Sequence, residues 1–222
     1  TSVSKAEIVK DIEINGNFRV SEETVKIYGK IRLNQDYSEI ELNKVLKNLY
    51  STDFFENVTL DLQNNILKIN LKEYPIVNQL VIVGEDKKSF RDQISKLMKL
   101  KEKRSFIKNY LSSDIDIIKN FYSSLGYNFS DVTAETKKID ENNLDLLIRI
   151  SRGEQTKISS IEFIGNKKIR SKRLRDVIAS EEDKFWKFIS RNTNFSERLV
   201  NLDVRLLTNY YKSLGFEYDY KD

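Results

Sequence analysis

The residues that come nearest to a catalytic constellation are Asp114 and Asp116, two carboxylates separated by one residue. They fall in a segment predicted to be helical, where residues two apart point in different directions, so they are not expected to act as an acid–base pair. The sequence contains neither histidine nor cysteine. It therefore lacks the commonest general base and metal ligand, and it cannot form disulfides or thiolate metal sites. Because it also lacks a phosphate-binding glycine loop, we expect no enzymatic activity, no cofactor and no metal site.

Charged residues are numerous but intermixed. The 38 basic and 34 acidic residues give a net charge of +4, and interspersed signs are typical of a solvated surface. The densest basic segment, Lys96 to Arg104, is short and contains a glutamate. A second run, Lys167 to Arg175, is compatible with an anionic lipid or an acidic partner, although a solvated helix start is the simpler interpretation. The sequence has no run of about 18 apolar residues, so no membrane-spanning helix is predicted.

Three aromatic residues, Phe185, Trp186 and Phe188, lie close together in the last fifth of the sequence. Aromatic residues are enriched at binding hot spots, so this cluster is a candidate knob for a protein partner. The same side chains could instead fold inward and fill a small core. The residue types alone leave both interpretations open.

The elements that would position these residues recur along the chain. The segments IEINGNFRV, NQLVIVGED and IEFIGNKKI each place a glycine after a short alternating strand, and Gly16, Gly84 and Gly165 are 68 and 81 residues apart. A glycine at the end of a strand predicts a positive φ or a tight turn. In each strand two apolar side chains are two residues apart and therefore share one face. These pairs are Ile12 and Ile14, Leu80 and Ile82, and Ile161 and Phe163.

A second pattern follows each glycine and reads NLYSTDFF, NFYSSLGY and NYYKSLGF. Apolar residues spaced three and four apart precede it, which predicts an amphipathic helix ending at the pattern, and a shorter helix is predicted before that one. Ser38 and Glu41 form a capping box at the start of the first long helix. After the pattern, Asn64 and Asn65 join two alternating segments and predict a two-residue hairpin turn. The tyrosines of the pattern are expected to fill the core: Tyr50, Tyr122 and Tyr211.

Each repeat therefore predicts the order β-α-α-β-β, an α+β fold with a three-stranded mixed sheet covered on one face by two helices. We expect domains at residues 1–74, 75–152 and 153–222, with the third incomplete because no returning strand follows its second strand.

This order of elements, with its strand-Gly turn and its Tyr-x-x-x-Gly-aromatic helix exit, resembles the POTRA domains of the outer-membrane protein assembly factor BamA and its relatives. The resemblance covers nearly the whole chain, and the third repeat resembles the third POTRA domain of alphaproteobacterial members. The first repeat departs from the pattern, because it has Asp53 and Phe54 where the others have Leu-Gly. The positions that match in the third repeat are Trp186, Phe188, Phe195, Leu199, Asp203, Leu206, Leu207, Tyr210, Tyr211 and Gly215.

The resemblance implies a periplasmic location, in front of a C-terminal β-barrel in the outer membrane that this sequence does not contain. It implies a receptor and scaffold that takes unfolded outer-membrane proteins from a periplasmic chaperone and assists their insertion. It also implies accessory lipoproteins as partners, including a β-propeller lipoprotein at the third domain.

In this family the second strand of each domain lies at a sheet edge. An edge strand presents unpaired N–H and C=O groups, to which an extended client strand can add by β-augmentation. The alternative is that these strands only complete their own sheets. The candidate client-binding residues are Val58, Thr59, Leu60, Asp61 and Leu62 in the first repeat, Val132, Thr133, Ala134, Glu135 and Thr136 in the second, and Glu217, Tyr218, Asp219 and Tyr220 in the third.

Two other assignments remain. The same modules occur in related translocation-and-assembly proteins and in two-partner secretion transporters. An array of nucleic-acid-binding modules is the alternative of a different class, since KH domains also combine strands and helices. KH domains clamp phosphates with a Gly-x-x-Gly loop, which this sequence lacks, so we expect no nucleic-acid partner.

Overall fold

The computed structural model describes residues 7–184 and 191–216. The strands are β1 (Glu7–Val9), β2 (Asp11–Asn15), β3 (Gln35–Tyr37), β4 (Phe55–Gln63), β5 (Ile66–Glu73), β6 (Ile76–Val83), β7 (Asp131–Lys138) and β8 (Asn143–Ser151). The helices are α1 (Glu22–Gly29), α2 (Glu39–Tyr50), α3 (Lys88–Leu97), α4 (Lys108–Ser124), α5 (Ser171–Arg175) and α6 (Glu197–Ser213), with a 3₁₀ turn at Arg191–Thr193. Over the described ranges, every helix is too short or too polar to cross a membrane.

The chain divides into two compact units. The first contains residues 7–81, 99–112 and 135–147, and the second contains residues 82–98, 113–134 and the described part of 148–216. The division crosses α4 and all three strands of the second repeat, so that repeat contributes segments to both units.

The first repeat contains the predicted mixed sheet, with strand order β2-β5-β4. Strand β2 runs parallel to the central strand β5, and β4 runs antiparallel to it. Helices α1 and α2 follow β2, and the β1–β3 ribbon is an addition that the repeat pattern did not predict. The interior is built from apolar side chains of both helices and of the sheet: Val9, Val20, Val25, Ile31, Tyr37, Val45, Leu49, Phe55, Val58, Leu67, Ile69 and Leu71.

Local sequence features form as predicted in this repeat. Asn64 and Asn65 both have positive φ values, 55° and 65°, as a two-residue hairpin turn between antiparallel strands requires. The capping box at the start of α2 is present, with the Ser38 backbone N–H donating to Glu41 Oε2 at 3.1 Å. These two features fix the register of β4 against β5 and the start of α2.

The second repeat has the same element order, with sheet order β6-β8-β7 and helices α3 and α4 between the first two strands. Gly84 ends β6 with a φ of 85°, and Gly16 and Gly165 have φ values of 82° and 83°. The prediction of a positive φ at all three glycines is confirmed.

In the third repeat the described residues contain α5 and α6 but no strand at Ile161 to Phe163, where the sequence predicts one. The matching strand of the first repeat pairs with the third strand of its sheet, β5, and the described residues of the third repeat contain no such partner strand. The backbone N–H and carbonyl of Ile161 form hydrogen bonds with side chains instead of with a neighbouring strand. Its N–H donates to Glu182 Oε1 at 3.1 Å, and its carbonyl accepts from Arg175 Nη2 at 2.6 Å.

Candidate functional site

Strand β4, which carries the first set of predicted client-binding residues, lies at one edge of its sheet. Gln63 and Ile66 face each other across the hairpin turn as a hydrogen-bonded pair, and pairing alternates from there along the ladder. Asp61 and Thr59 therefore bond to β5, whereas the backbone groups of Leu60 point away from it. The Leu62 backbone points outward as well. In the described residues the N–H groups of Leu60 and Leu62 point away from β5 and have no acceptor outside the ladder.

Tyr50, the last residue of α2, occupies one position on this edge. Its hydroxyl accepts a hydrogen bond from the Val58 N–H at 3.0 Å, and it lies 3.4 Å from the Val58 carbonyl oxygen. The Tyr50 side chain is 42% exposed. The prediction that Tyr50 fills the core is therefore wrong, because the helix ends beside the sheet edge rather than over the sheet. This role could not be found from the repeat pattern, because the pattern gives the tyrosines of all three repeats equivalent positions.

Strand β7, which carries the second set, is likewise at a sheet edge. Val132 is buried and Ala134 is partly buried, whereas Thr133, Glu135 and Thr136 are exposed. The β7 strand is therefore anchored by one face near its start, and its later residues lie at the surface. Glu135 has an interaction partner within the chain.

The remaining predicted site residues lie outside the described residues. They are the third edge, Glu217, Tyr218, Asp219 and Tyr220, and the aromatic cluster Phe185, Trp186 and Phe188. The two sets of predicted client-binding residues that the structure describes lie on separate sheets.

A buried carboxylate, Glu73, organises the turn that follows Gly16. It stands at the end of the central strand β5, with its side chain 2% exposed. One oxygen accepts three backbone hydrogen bonds, from Phe18, Arg19 and Val20 at 2.8, 3.0 and 3.1 Å. The other oxygen lies 2.9 Å from the Arg19 guanidinium. This one side chain therefore ties the loop leading into α1 to the end of the sheet.

A second buried carboxylate, Glu85, directly follows Gly84 in the chain. Its hydrogen-bonding partners differ from those of Glu73. Its side chain is fully buried and accepts hydrogen bonds from the Tyr122 hydroxyl at 2.6 Å and from the Lys87 N–H at 2.8 Å. Arg152 lies 3.5 Å away. Burial raises the pKa of Tyr122 well above its ordinary value, and the hydrogen bond to Glu85 raises it further. The tyrosine of the second repeat is thus a core residue, as predicted, and it also supplies a donor to a buried charge.

We expect Tyr122→Phe to destabilise the second unit by about 2 kcal/mol, since a hydrogen bond to a charged group contributes roughly 1.5–3 kcal/mol. Hydrogen exchange of the 82–98 and 113–134 segments would measure the loss. Tyr127→Phe is the matched control, because the Tyr127 hydroxyl makes no hydrogen bond to any described residue while its ring packs against Tyr122. Equal protection in the two variants would show that the Glu85 contact does not stabilise the unit.

The two carboxylates considered for catalysis do not form a pair. Asp114 is fully buried and Asp116 is exposed, which agrees with their opposite directions on α4. Asp114 has an interaction partner within the chain. We therefore interpret it as a buried structural carboxylate.

The geometry is thus that of small mixed sheets with helices on one face, glycine-ended first strands and a second strand at the sheet edge. A family model described as POTRA, a surface antigen variable number repeat, matches residues 75–153 and 156–221. The chain belongs to the POTRA family.

Individual relatives belong to one kind of outer-membrane protein. The chain is 32% identical over 215 residues to the outer membrane protein assembly factor BamA of Neorickettsia risticii, covering 97% of this chain and 29% of that protein. It is 26% identical over 211 residues to BamA of Neisseria meningitidis, covering 94% of this chain and 26% of that protein. The chain therefore spans less than a third of the length of these relatives.

Among solved structures, the chain is similar to the N-terminal domain of Omp85 from Thermosynechococcus elongatus. The identity is 12% and the TM-score 0.47, over 97% of this chain and 88% of that chain. The POTRA region of BamA is periplasmic, which places this chain in the periplasmic part of a bacterial outer-membrane protein.

Proposed function

We propose that the chain is a receptor and scaffold in outer-membrane protein assembly, with three POTRA modules at residues 1–74, 75–152 and 153–222. The names of its relatives, outer membrane protein assembly factors, support this role. Its clients are unfolded outer-membrane proteins, which must reach the membrane before their strands have partners. Its further partners are a periplasmic chaperone and accessory lipoproteins, one of them a β-propeller protein that binds the third module.

The client binds by β-augmentation along β4 and β7. The observation that carries this proposal is the backbone of β4, where Leu60 and Leu62 direct their N–H groups away from β5 without a partner in the described part of the chain. Main-chain pairing requires little of the client sequence, which suits a receptor for many different clients. Each hydrogen bond contributes a net of only about 0.5–1.5 kcal/mol, so a short pairing stays reversible.

We also infer that the chain has no catalytic activity. Histidine and cysteine are missing from its sequence, and its closest approach to a carboxylate pair, Asp114 and Asp116, is split between the interior and the surface. A scaffold function requires neither a nucleophile nor a general base.

The variant Leu60→Pro tests the edge directly. Proline lacks the outward N–H, and because that group does not bond to β5, the ring is tolerated on the free side of an edge strand. We expect the variant to bind an extended outer-membrane protein peptide about tenfold more weakly, from one lost hydrogen bond and the clash of the ring with the incoming strand. Fluorescence anisotropy of a labelled peptide measures the affinity.

Leu60→Ala is the matched control, because it removes the same side chain and keeps the N–H. Equal affinities for the two variants would exclude pairing at Leu60. In cells, a photoreactive residue at Thr59 should crosslink to newly exported barrel proteins. The same residue at Asn70, its partner on the central strand, should not. Both positions are exposed, so exposure alone cannot explain a difference between them.

A further inference from the structure

A cleft of about 280 Å³ in the first unit concentrates positive charge. One wall is the loop after α3, and the other is formed by the turn after Gly16 and the exit of α2. Five cationic side chains and a single carboxylate, Asp53, line it. We name this site the basic cleft, and its cations are Arg19, Lys99, Lys101, Lys103 and Arg104.

Two of these cations have contacts with uncharged groups. The Lys99 ammonium lies 5.0 Å from the centroid of the Tyr110 ring. Lys103 Nζ donates to the Asn78 side-chain oxygen at 2.9 Å. The Asn78 amide is uncharged, so this contact holds the Lys103 ammonium group in position without neutralising it. Arg19 differs, because it is paired with Glu73.

The negative group in the cleft is also engaged. Asp53 Oδ2 accepts a hydrogen bond from the Tyr110 hydroxyl at 2.7 Å. Asp53 has a φ of 60°, which holds its carboxylate at the turn after α2. Arg104 is exposed, and its guanidinium makes no hydrogen bond or ion pair with any described residue. A planar guanidinium beside three lysine ammonium groups is the arrangement that suits a compact anion with several oxygens.

We propose that the basic cleft binds a phosphate group, with Arg104 as its bidentate ligand and Lys99, Lys101 and Lys103 as the surrounding charges. The small volume favours a compact anion over an extended acidic peptide. The phosphate can be that of an anionic lipid headgroup or a free phosphate or pyrophosphate. The proposed ligands all come from the loop before α4, and the exit of α2 lines the cleft opposite them.

Binding to the whole chain distinguishes these sources. Calorimetric titration with inorganic phosphate and with pyrophosphate tests the free anions. Co-sedimentation with phosphatidylglycerol vesicles, compared with phosphatidylcholine vesicles, tests the lipid. We expect saturable binding in at least one arm, weakened by added salt because exposed charges are screened. The double variant Lys103→Glu, Arg104→Glu should bind at least about tenfold more weakly, as loss of charge-assisted hydrogen bonds predicts.

The matched control is Lys167→Glu, Lys168→Glu, which makes the same change in net charge within the second basic run of the sequence. It should alter binding less than about twofold, since those lysines are not part of the cleft. The single variant Arg104→Gln removes no hydrogen bond or ion pair to the described protein, so weaker binding of this variant points to the lost guanidinium rather than to misfolding. The proposal is overturned if the cleft and control variants weaken binding equally or if no arm binds. It is also overturned if polyglutamate binds as tightly as pyrophosphate or the vesicles and with the same dependence on Arg104.

Discussion

Gly84→Ala should destabilise the second unit by about 2–5 kcal/mol. Two costs add at this position. The residue has a φ of 85°, where a side chain costs roughly 1–2 kcal/mol. An added Cβ would also lie 2.0 Å from the Ile150 carbonyl oxygen. Because that oxygen belongs to the backbone of β8, the contact can be relieved only by moving a strand, and overpacking of this kind costs about 1–3 kcal/mol.

Gly165→Ala separates the two costs. Gly165 has nearly the same φ, 83°, but no heavy atom lies within 4 Å of the position its Cβ would take. We expect it to lose about 1–2 kcal/mol, the conformational cost alone. Gly16→Ala should behave like Gly84→Ala, since its Cβ would lie 2.0 Å from the Leu71 carbonyl oxygen. Hydrogen exchange resolved by segment is the appropriate measurement, because a chain of several units does not unfold in one step. Equal losses at Gly84 and Gly165 would contradict the role given to the strand contact.

Glu73→Ala should destabilise the first unit by a similar amount, about 3–5 kcal/mol. The substitution leaves three backbone N–H groups and one guanidinium without their shared acceptor. An unsatisfied buried donor costs about 1–3 kcal/mol, and water can reach part of this turn, so the sum is less than three full penalties. The amides of Phe18, Arg19 and Val20 report the effect directly, since their exchange should accelerate first.

Two further variants divide the contributions of Glu73. Arg19→Ala removes the ion pair but keeps the three backbone hydrogen bonds, and we expect it to cost about 1 kcal/mol, as a partly exposed pair does. Glu73→Gln keeps one acceptor oxygen, so its loss of stability should lie between those of Arg19→Ala and Glu73→Ala. If Arg19→Ala were as damaging as Glu73→Ala, the ion pair rather than the backbone contacts would hold the turn.

Features set by neighbouring residues were predictable from the sequence. The positive φ at Gly16, Gly84 and Gly165, the turn at Asn64 and Asn65, and the start of α2 all depend on residues within a few positions of one another. The order β-α-α-β-β followed from the periodicity of apolar residues. The edge position of β4 and β7 was expected from the resemblance to POTRA domains, and the strand orders β2-β5-β4 and β6-β8-β7 agree with it.

Features that join distant residues were not predictable. The contacts of Glu73 with Phe18 and of Glu85 with Tyr122 span 55 and 37 residues, and no local pattern marks either glutamate as buried. The basic segment after α3 predicted a solvated surface, because sequence alone does not show that Arg19 and Asp53 lie beside it. Forming a strand at Ile161 requires a partner strand, and alternation of residues alone is not enough. In the described residues the side chains of Glu182 and Arg175 bond to the Ile161 backbone instead.

The tyrosine at the end of α2 has a consequence for how any guest chain would be aligned. Its hydroxyl already holds the amide of Val58, so a visiting strand meets its first vacant donor at Leu60 and its next at Leu62. A client strand can shift its register toward Val58 only if the Tyr50–Val58 hydrogen bond breaks. We therefore expect that in Tyr50→Phe one peptide pairs with β4 in several registers, where the native protein allows a single register.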